Sequence, residues 1–575
     1  MYGWKIATLV LAAGTPALGQ DARPSVALGG GTPGPASGPS ISSAGGQTAA
    51  AWSDLTDGHV YGSSANAVGT VYSAAQGVDD PSTPVPSFTG PSSSSSAGGS
   101  AFVLWRDVRT PLEGELFLGN EAGLPISMVD KGHPAGTGRV ETFEYECVDA
   151  DPDPIHHYVI LRVDPDPTPG VSGDREVWFA RSADGGASFL PPTRLSPPGS
   201  QGYGIGLAAD GDRVVVAWVD DRFQRHTVFV AVSEDRGATF GPEVGLTKGF
   251  CPWPFDDCYI GAIDVDIRGD VIAVAWEQDE AAFFSVQSVV ASVSTDAGAT
   301  FSSPQVAGKI FIFLIEAESP DIEIAPQSGN ILVSWADNRS GFNAPYVALS
   351  TDHGGLWTET ELAPAGDPPR IVVAEAPAND AVAYWTAPGT SADELEARLS
   401  LDGGQSWEPA VAVDDNPGDV NAPVAAFDAV YRNFLFAWLA DDGGAHAPYA
   451  GGFRPQTLTP VGWTSGTASA GFEFSGFDPA SDLLAWAILS LSPGSFSLPD
   501  GRNLGLLFDS LTSTSLSLAQ SGSLAAGIAP DGSGSTPPLS VGPLPPGFVF
   551  YGVGVGIDPG TGELGSLTDV VQIAL

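Results

Sequence analysis

Two signals that recur in phase along this 575-residue chain predict an all-β fold, a β-propeller of four-stranded blades followed by a C-terminal β-sandwich. One is a short turn phrase that returns five times. The other is an apolar strand that ends in Trp. The composition agrees, since 72 Gly and 49 Pro make a turn-rich chain long enough for one large domain and one smaller one.

The turn phrase occupies Ser182–Phe189, Ser233–Phe240, Ser294–Phe301, Ser350–Trp357 and Ser400–Trp407. It reads S-x-D-x-G-x-[ST]-[FW], with Leu356 the one departure. Its aspartates, Asp184, Asp235, Asp296, Asp352 and Asp402, fall 51, 61, 56 and 50 residues apart. An Asp side chain accepts hydrogen bonds from backbone N–H groups just ahead of it, and Gly supplies the positive φ of a tight hairpin. These five aspartates are therefore expected to be structural. The phrase resembles the Asp-box (BNR) repeat of sialidase-like β-propellers. That resemblance implies boxes on outer hairpins, away from any ligand pocket.

Trp-ending strands precede the last four boxes, at Trp218, Trp276, Trp335 and Trp385. The same strand appears at Trp52, Trp105 and Trp438, where no clean box follows, and His157–Arg162 fills the remaining gap with Arg162 in the Trp place. Eight units of about 55 residues then cover 24–464. Each unit reads as four strands, with the box joining the third to the fourth. Eight blades are favoured, and seven or six remain open.

The net charge of −45, with four Lys in the whole chain, argues against nucleic acid and anionic membranes as partners. Lys5, the apolar run 6–13 and the small residues at 17–19 read as a secretory signal peptide over 1–19. No later stretch is apolar enough to span a membrane, so a secreted or extracytoplasmic monomer is expected. Export permits a local disulfide between Cys251 and Cys258. Cys147 is left over as a small buried residue. From about 465 the period stops, and 465–575 reads as an accessory β-sandwich with strands at 504–508, 548–557 and 570–575.

Candidate site residues lie where the Trp strands end. Arg109, Arg222 and Arg339 each follow a W-x-D-x-R pattern with Asp107, Asp220 and Asp337. The resemblance implies a cluster of three Arg that grips a substrate carboxylate, together with a Tyr nucleophile and its Glu partner. Yet an Arg two residues from an Asp in every repeat is better read as a structural ion pair. The Arg-Ile-Pro segment of that family is missing, with Arg23-Pro24 its nearest match, and no spacing nominates Tyr431, Glu316 or Glu318. The loop between Cys251 and Cys258 is the other candidate. Trp253, Phe255, Asp256, Asp257 and Tyr259 combine ring faces with carboxylates, which suits a sugar, although a loop folded on its own aromatics is the plainer reading. No cofactor or metal is expected. Asp149, Asp151 and Asp153 alternate in a way that suits Ca²⁺, but Pro152 and Pro154 favour a solvated turn. The preferred reading is a non-catalytic propeller that binds an extracellular glycan or protein. The alternative is a sialidase-like exo-glycoside hydrolase acting on sialoglycans.

Overall fold

The computed structural model describes residues 26–28, 36–44, 47–54, 59–65, 76–77, 92–95, 101–110, 113–120, 125–128, 139–150, 153–165, 175–198, 200–222, 226–246, 260–279, 287–307, 317–374, 379–389, 392–400, 402–414, 418–428, 433–441, 446–453, 457–463, 469–475, 477, 483–492, 506–529, 533–540, 548–557, 564–568 and 571–574. The chain is all-β and forms two compact units, 24–429 with 434–452, and 453–575 with two short segments.

Among the described residues, the larger unit holds eight antiparallel sheets of four strands each. Their first strands are Ala36–Ala44, Ser92–Ser95, Arg139–Ala150, Gly202–Asp210, Ile260–Arg268, Ala317–Ile324, Arg370–Val373 and Val420–Asp428. These eight strands neighbour one another in cyclic order, the last against the first, so the arrangement is propeller-like. The eighth sheet completes itself with the N-terminal strand Val26–Ala27, which pairs with Tyr449 and Ala450. Its fourth strand comes from the far end of the chain. Hence no third-to-fourth hairpin, and no box, follows Trp438.

Strands two and three of the fourth to sixth sheets are rich in Val, Ile, Ala and Trp, because both faces are covered by neighbouring sheets. The core accordingly consists of slabs between sheets. One slab joins Tyr158, Ile160 and Phe179 of the third sheet to Leu207, Val216 and Trp218 of the fourth. Another joins Val274 and Trp276 of the fifth to Val215 and Val230 of the fourth. Cross-strand ring pairs recur at one level, Trp52 on Tyr61, Trp218 on Phe229, Trp335 on Tyr346 and Trp438 on Tyr449, with centroids 5.8–6.4 Å apart.

The third sheet corrects one reading. Pairing places Leu161, rather than Arg162, level with the other Trp residues, and Leu161 faces Trp178 on the third strand. The large aromatic has moved one strand outward, so the slab keeps its volume. Arg162 instead turns to Glu141, 3.2 Å away.

Four of the first strands share a bulge. Their register shifts at Ser37/Ser40, Gly202/Ile205, Ile260/Ile263 and Glu318/Asp321. In the sixth and eighth strands a non-glycine residue before proline takes positive φ, Ser319 at 53° and Ala422 at 49°.

In the smaller unit, Thr457–Val461, Ser469–Ser475, Gly534–Ser535 and Leu539–Ser540 form one sheet, and Leu484–Ser490, Ala525–Gly527, Val549–Ile557, Leu564–Leu567 and Val571–Ala574 form another. Leu458, Phe472 and Phe474 of the first share a core with Ala485, Leu489 and Phe550 of the second. Ser510–Gln520 is a helix that the sequence reading missed. Asp509 caps it, accepting from the Leu511 and Thr512 N–H groups, while Thr512 Oγ1 accepts from the Asp509 N–H. Its hydroxyls return to carbonyls one turn back, as Ser513 and Ser517 do, so a Ser/Thr-rich stretch remains helical. The stretch read as a strand at 504–508 gives way to this cap, with Leu506 in a single bridge and Leu507 and Phe508 outside any strand.

Left-handed backbone strains a residue that carries a Cβ. Ser319→Gly is therefore expected to raise the urea-unfolding free energy of the protein by about 0.5 kcal/mol, the relief exceeding the added freedom of the unfolded chain. A loss of stability would contradict the strain at this bulge.

Candidate functional site

Antiparallel strands put the third-to-fourth hairpins on one face of each sheet and the second-to-third links on the other. The boxes occupy the first face, and their geometry repeats. Asp184 Oδ1 accepts from the Ser188 N–H at 2.9 Å, and Asp235, Asp296 and Asp402 accept from Thr239, Thr300 and Ser406 at 2.7–2.9 Å. In those four the second oxygen accepts the same residue's hydroxyl. Asp352 keeps the backbone bond, from Leu356 at 2.8 Å, and lacks the hydroxyl bond because Leu356 has no oxygen to offer. Each box Ser accepts from the Gly N–H, as Ser233 does from Gly237 at 2.8 Å.

The box glycine answers to two demands. Gly186, Gly237, Gly298, Gly354 and Gly404 all have φ between 72° and 86°. Each also abuts the preceding sheet, so that a Cβ on Gly298 would lie 2.5 Å from Val232. The boxes thus fasten one sheet to the next.

Arg222 and Arg339 lie on the opposite face, in the fourth and sixth sheets. Trp218 Nε1 donates to Asp220 at 3.1 Å, and Asp220 in turn accepts from Arg222 Nε at 2.8 Å. The guanidinium also contacts Glu243 and covers the Phe229 ring at 3.9 Å. The sixth sheet repeats this with Trp335, Asp337, Arg339, Glu359 and Tyr346. Each guanidinium is spent on its own sheet, and the two do not converge. The third sheet holds a mirror version the sequence did not flag, Trp178 with Glu176 and Arg194, because its Trp is on the third strand. The side chain of Arg109 lies outside the described residues. So do Trp253, Phe255, Asp256, Asp257 and Tyr259, Cys251 and Cys258, Tyr431 and Glu316, the segment 1–19 and the side chains of Asp149, Asp151 and Asp153. Cys147 is half-buried on the third sheet's first strand.

A polar layer rings the axis. In seven first strands one residue pairs with the residue just before the Trp level. These are Ser40, Ser92, Glu144, Gly206, Asp264, Asp321 and Arg370. Alternation along a first strand shows no helpful motif, so this layer was invisible until the sheets were placed side by side.

Beside it, between the seventh and eighth sheets, opens a cleft of about 240 Å³. Asp367, Arg370, Tyr384, Thr386 and Asn421 supply its polar groups, and Trp385, Val420 and Pro423 its apolar wall. Arg370 is 62% exposed and meets Asp321 at 3.4 Å. The Gly366 N–H at the cleft's edge donates to Asn343 O at 2.9 Å, which fixes a neighbouring loop whose Phe342 is 74% exposed. Tyr384 is 4% exposed, and burial pushes its hydroxyl well above the usual phenol range.

No family model matches this chain, and no curated protein does. Among solved structures, it is similar to the Hadza microbial sialidase Hz136, at 16% identity and a TM-score of 0.33 over 59% of this chain and 73% of that one. It is similar to the polysaccharide lyase Uly1, at 8% identity and 0.40 over 72% and 90%. It is also similar to Trypanosoma rangeli sialidase in complex with sialic acid, at 11% identity and 0.33 over 76% and 88%.

Two outcomes are expected. Arg222→Ala leaves Asp220 buried without its cation, at a cost of about 3–5 kcal/mol in urea unfolding; a cost under about 1 kcal/mol would contradict the pairing. Hydrogen bonds from Thr239 and Ser233 hold Asp235 down at about 2. A lowered carboxyl stabilises the fold above its usual range near 4 and ceases to do so as the pH falls through 2. The melting-temperature gap between wild type and Asp235→Ala should thus be full at pH 5 and close toward pH 2. A gap that widens on acidification would refute the box's role.

Proposed function

We propose that the chain is a secreted, non-catalytic binding protein, an eight-bladed propeller joined to a β-sandwich, that holds an extracellular glycan in the cleft beside Arg370. The observation that carries this is the contrast among its arginines. Arg222 and Arg339 are each saturated by two carboxylates and a ring. Arg370 meets one carboxylate oxygen at 3.4 Å and is among the residues that line the cleft. Asn421, Thr386 and Asp367 add the mixed donors and acceptors that sugar hydroxyls need. The Trp385 and Pro423 side chains that line the cleft give it an apolar wall for a sugar's C–H face. The loop 251–259 remains a second proposed contact, and Cys251 and Cys258 its proposed closure.

The sialidase-like alternative needs a reactive tyrosine. Tyr384 is the one beside Arg370, and its buried hydroxyl resists ionisation, which does not favour it as a nucleophile. A glycan array on the full-length protein, run beside a fluorogenic sialoside assay, tests both readings. Binding is expected to survive Asp402→Ala and to fall at least about tenfold in Asn421→Ala, roughly one lost contact. Release of the fluorophore that disappears in Tyr384→Phe would overturn the non-catalytic reading.

A further inference from the structure

The cleft between the seventh and eighth sheets holds two polar side chains whose bonding is incomplete. Thr386, on the second strand Ala381–Pro388 of the seventh sheet, lines the cleft and is 8% exposed. Alternation puts it on the same face as Tyr384, whose ring meets Phe436 of the eighth sheet. Among the described residues its hydroxyl has no hydrogen-bond partner. Asp367 lies beside it, since the Asp367 N–H donates to the Thr386 carbonyl at 2.9 Å. The Asp367 carboxylate is exposed and likewise has no partner among the described residues. A buried hydroxyl left unbonded is costly, and here a ligand entering the cleft can supply the bond.

The charge around these groups runs one way. Arg370 is the only base among the described residues that line the cleft. Its guanidinium already meets Asp321 at 3.4 Å, and Asp321 above all, with Asp264 and Glu144 adding to it, favours its charged form. The Asp393 N–H donates to Asp419 Oδ1 at 3.0 Å, and Asn421 on the cleft wall donates from Nδ2 to the Asp419 carbonyl at 3.3 Å. The carboxylates of Asp321, Asp367, Asp393 and Asp419 thus stand against one guanidinium. Burial, then the charge of Asp393, raises the Asp367 carboxyl. An incoming anion would meet the same two penalties. The chain as a whole, at −45, adds a field of the same sign.

We propose that the cleft selects neutral sugars and turns away glycans that carry carboxylate or sulfate groups. This rests on the glycan reading above and narrows it. A sugar hydroxyl is donor and acceptor at once, so it can donate to Asp367 and accept from Arg370, with the Thr386 hydroxyl serving in either sense. Gripping an anion takes guanidinium forks free of competing carboxylates, and the cleft offers the reverse.

Titration calorimetry on the full-length protein tests this, with neutral oligosaccharides against sialylated, uronate-bearing and sulfated ones of matched length. Neutral glycans are expected to bind, with an affinity that changes less than about twofold between ~50 and ~500 mM NaCl. Thr386→Val should weaken them about tenfold without lowering the melting temperature, since the hydroxyl has no internal bond to lose. Asp367→Asn keeps an oxygen acceptor and removes one charge, so the ratio of acidic to neutral affinity should rise at least about threefold. A preference of the wild type for acidic glycans, or an unchanged ratio in Asp367→Asn, would overturn this inference and leave the glycan reading standing. Binding of neither class would overturn that reading, and this inference with it.

Discussion

The central sheets of the larger unit are apolar on both faces, and only another sheet can cover them. That constraint governs the rest of the architecture. Val274 and Trp276 need Val215 and Val230 on one side, while Ala273 and Ala275 need Ile322 and Val333 on the other. A stack of such sheets cannot end without exposing a face, so it closes. The slab of Trp52, Ala50, Leu435 and Leu439 is where the first sheet meets the eighth. The strand Val26–Ala27 then locks the ring by pairing N-terminal residues with the last sheet.

Polar groups are consequently driven to the hairpins and to the axis, and most of those described are engaged in fastening. The box aspartates tie hairpins whose glycines press on the preceding sheet. The Trp–Asp–Arg sets satisfy an indole N–H that would otherwise be buried without a partner. On the box face, Arg213 crosses from the fourth sheet to Asp270 of the fifth at 2.6 Å. Two kinds of carboxyl thus hold the ring. The box aspartates are exposed and bond within their own hairpins. The axial ones, Asp264, Asp266 and Asp321, accept from the first strand of the next sheet at 2.6–2.8 Å.

The cleft owes its place to the same geometry. In four first strands a bulge shifts the register beside the axial layer. The seventh and eighth sheets bring Asp367, Arg370, Asn421 and Ala422 around one hollow. Arg370 occupies the level that Asp264 and Asp321 occupy in their own strands. A base at that level, in place of the acid found in the fifth and sixth sheets, puts a guanidinium beside the cleft.

Much of the ring was legible in the chain itself, because its signals are local. The box motif fixes a hairpin within eight residues, and the Trp strands mark the period. Even the defect at Leu356 has its counterpart in one missing hydroxyl bond. Local pattern also misplaced the third sheet by one residue, since Arg162 follows Leu161 in sequence while only pairing reveals that Trp178 fills the slab from another strand. The helix at 510–520 was hidden for a related reason: Ser and Thr read as loop until their hydroxyls have carbonyls one turn back to bond. The candidate site was the least legible part. Arg222 and Arg339 drew attention through a motif, and that motif is what occupies them. Arg370, Asp367 and Asn421 belong to no motif, and they meet there only because the seventh and eighth sheets lie side by side. Short-range chemistry determines which turns and strands exist. Only the closure of the ring decides which side chains are left with unspent hydrogen bonds, because that depends on what the neighbouring sheets bring.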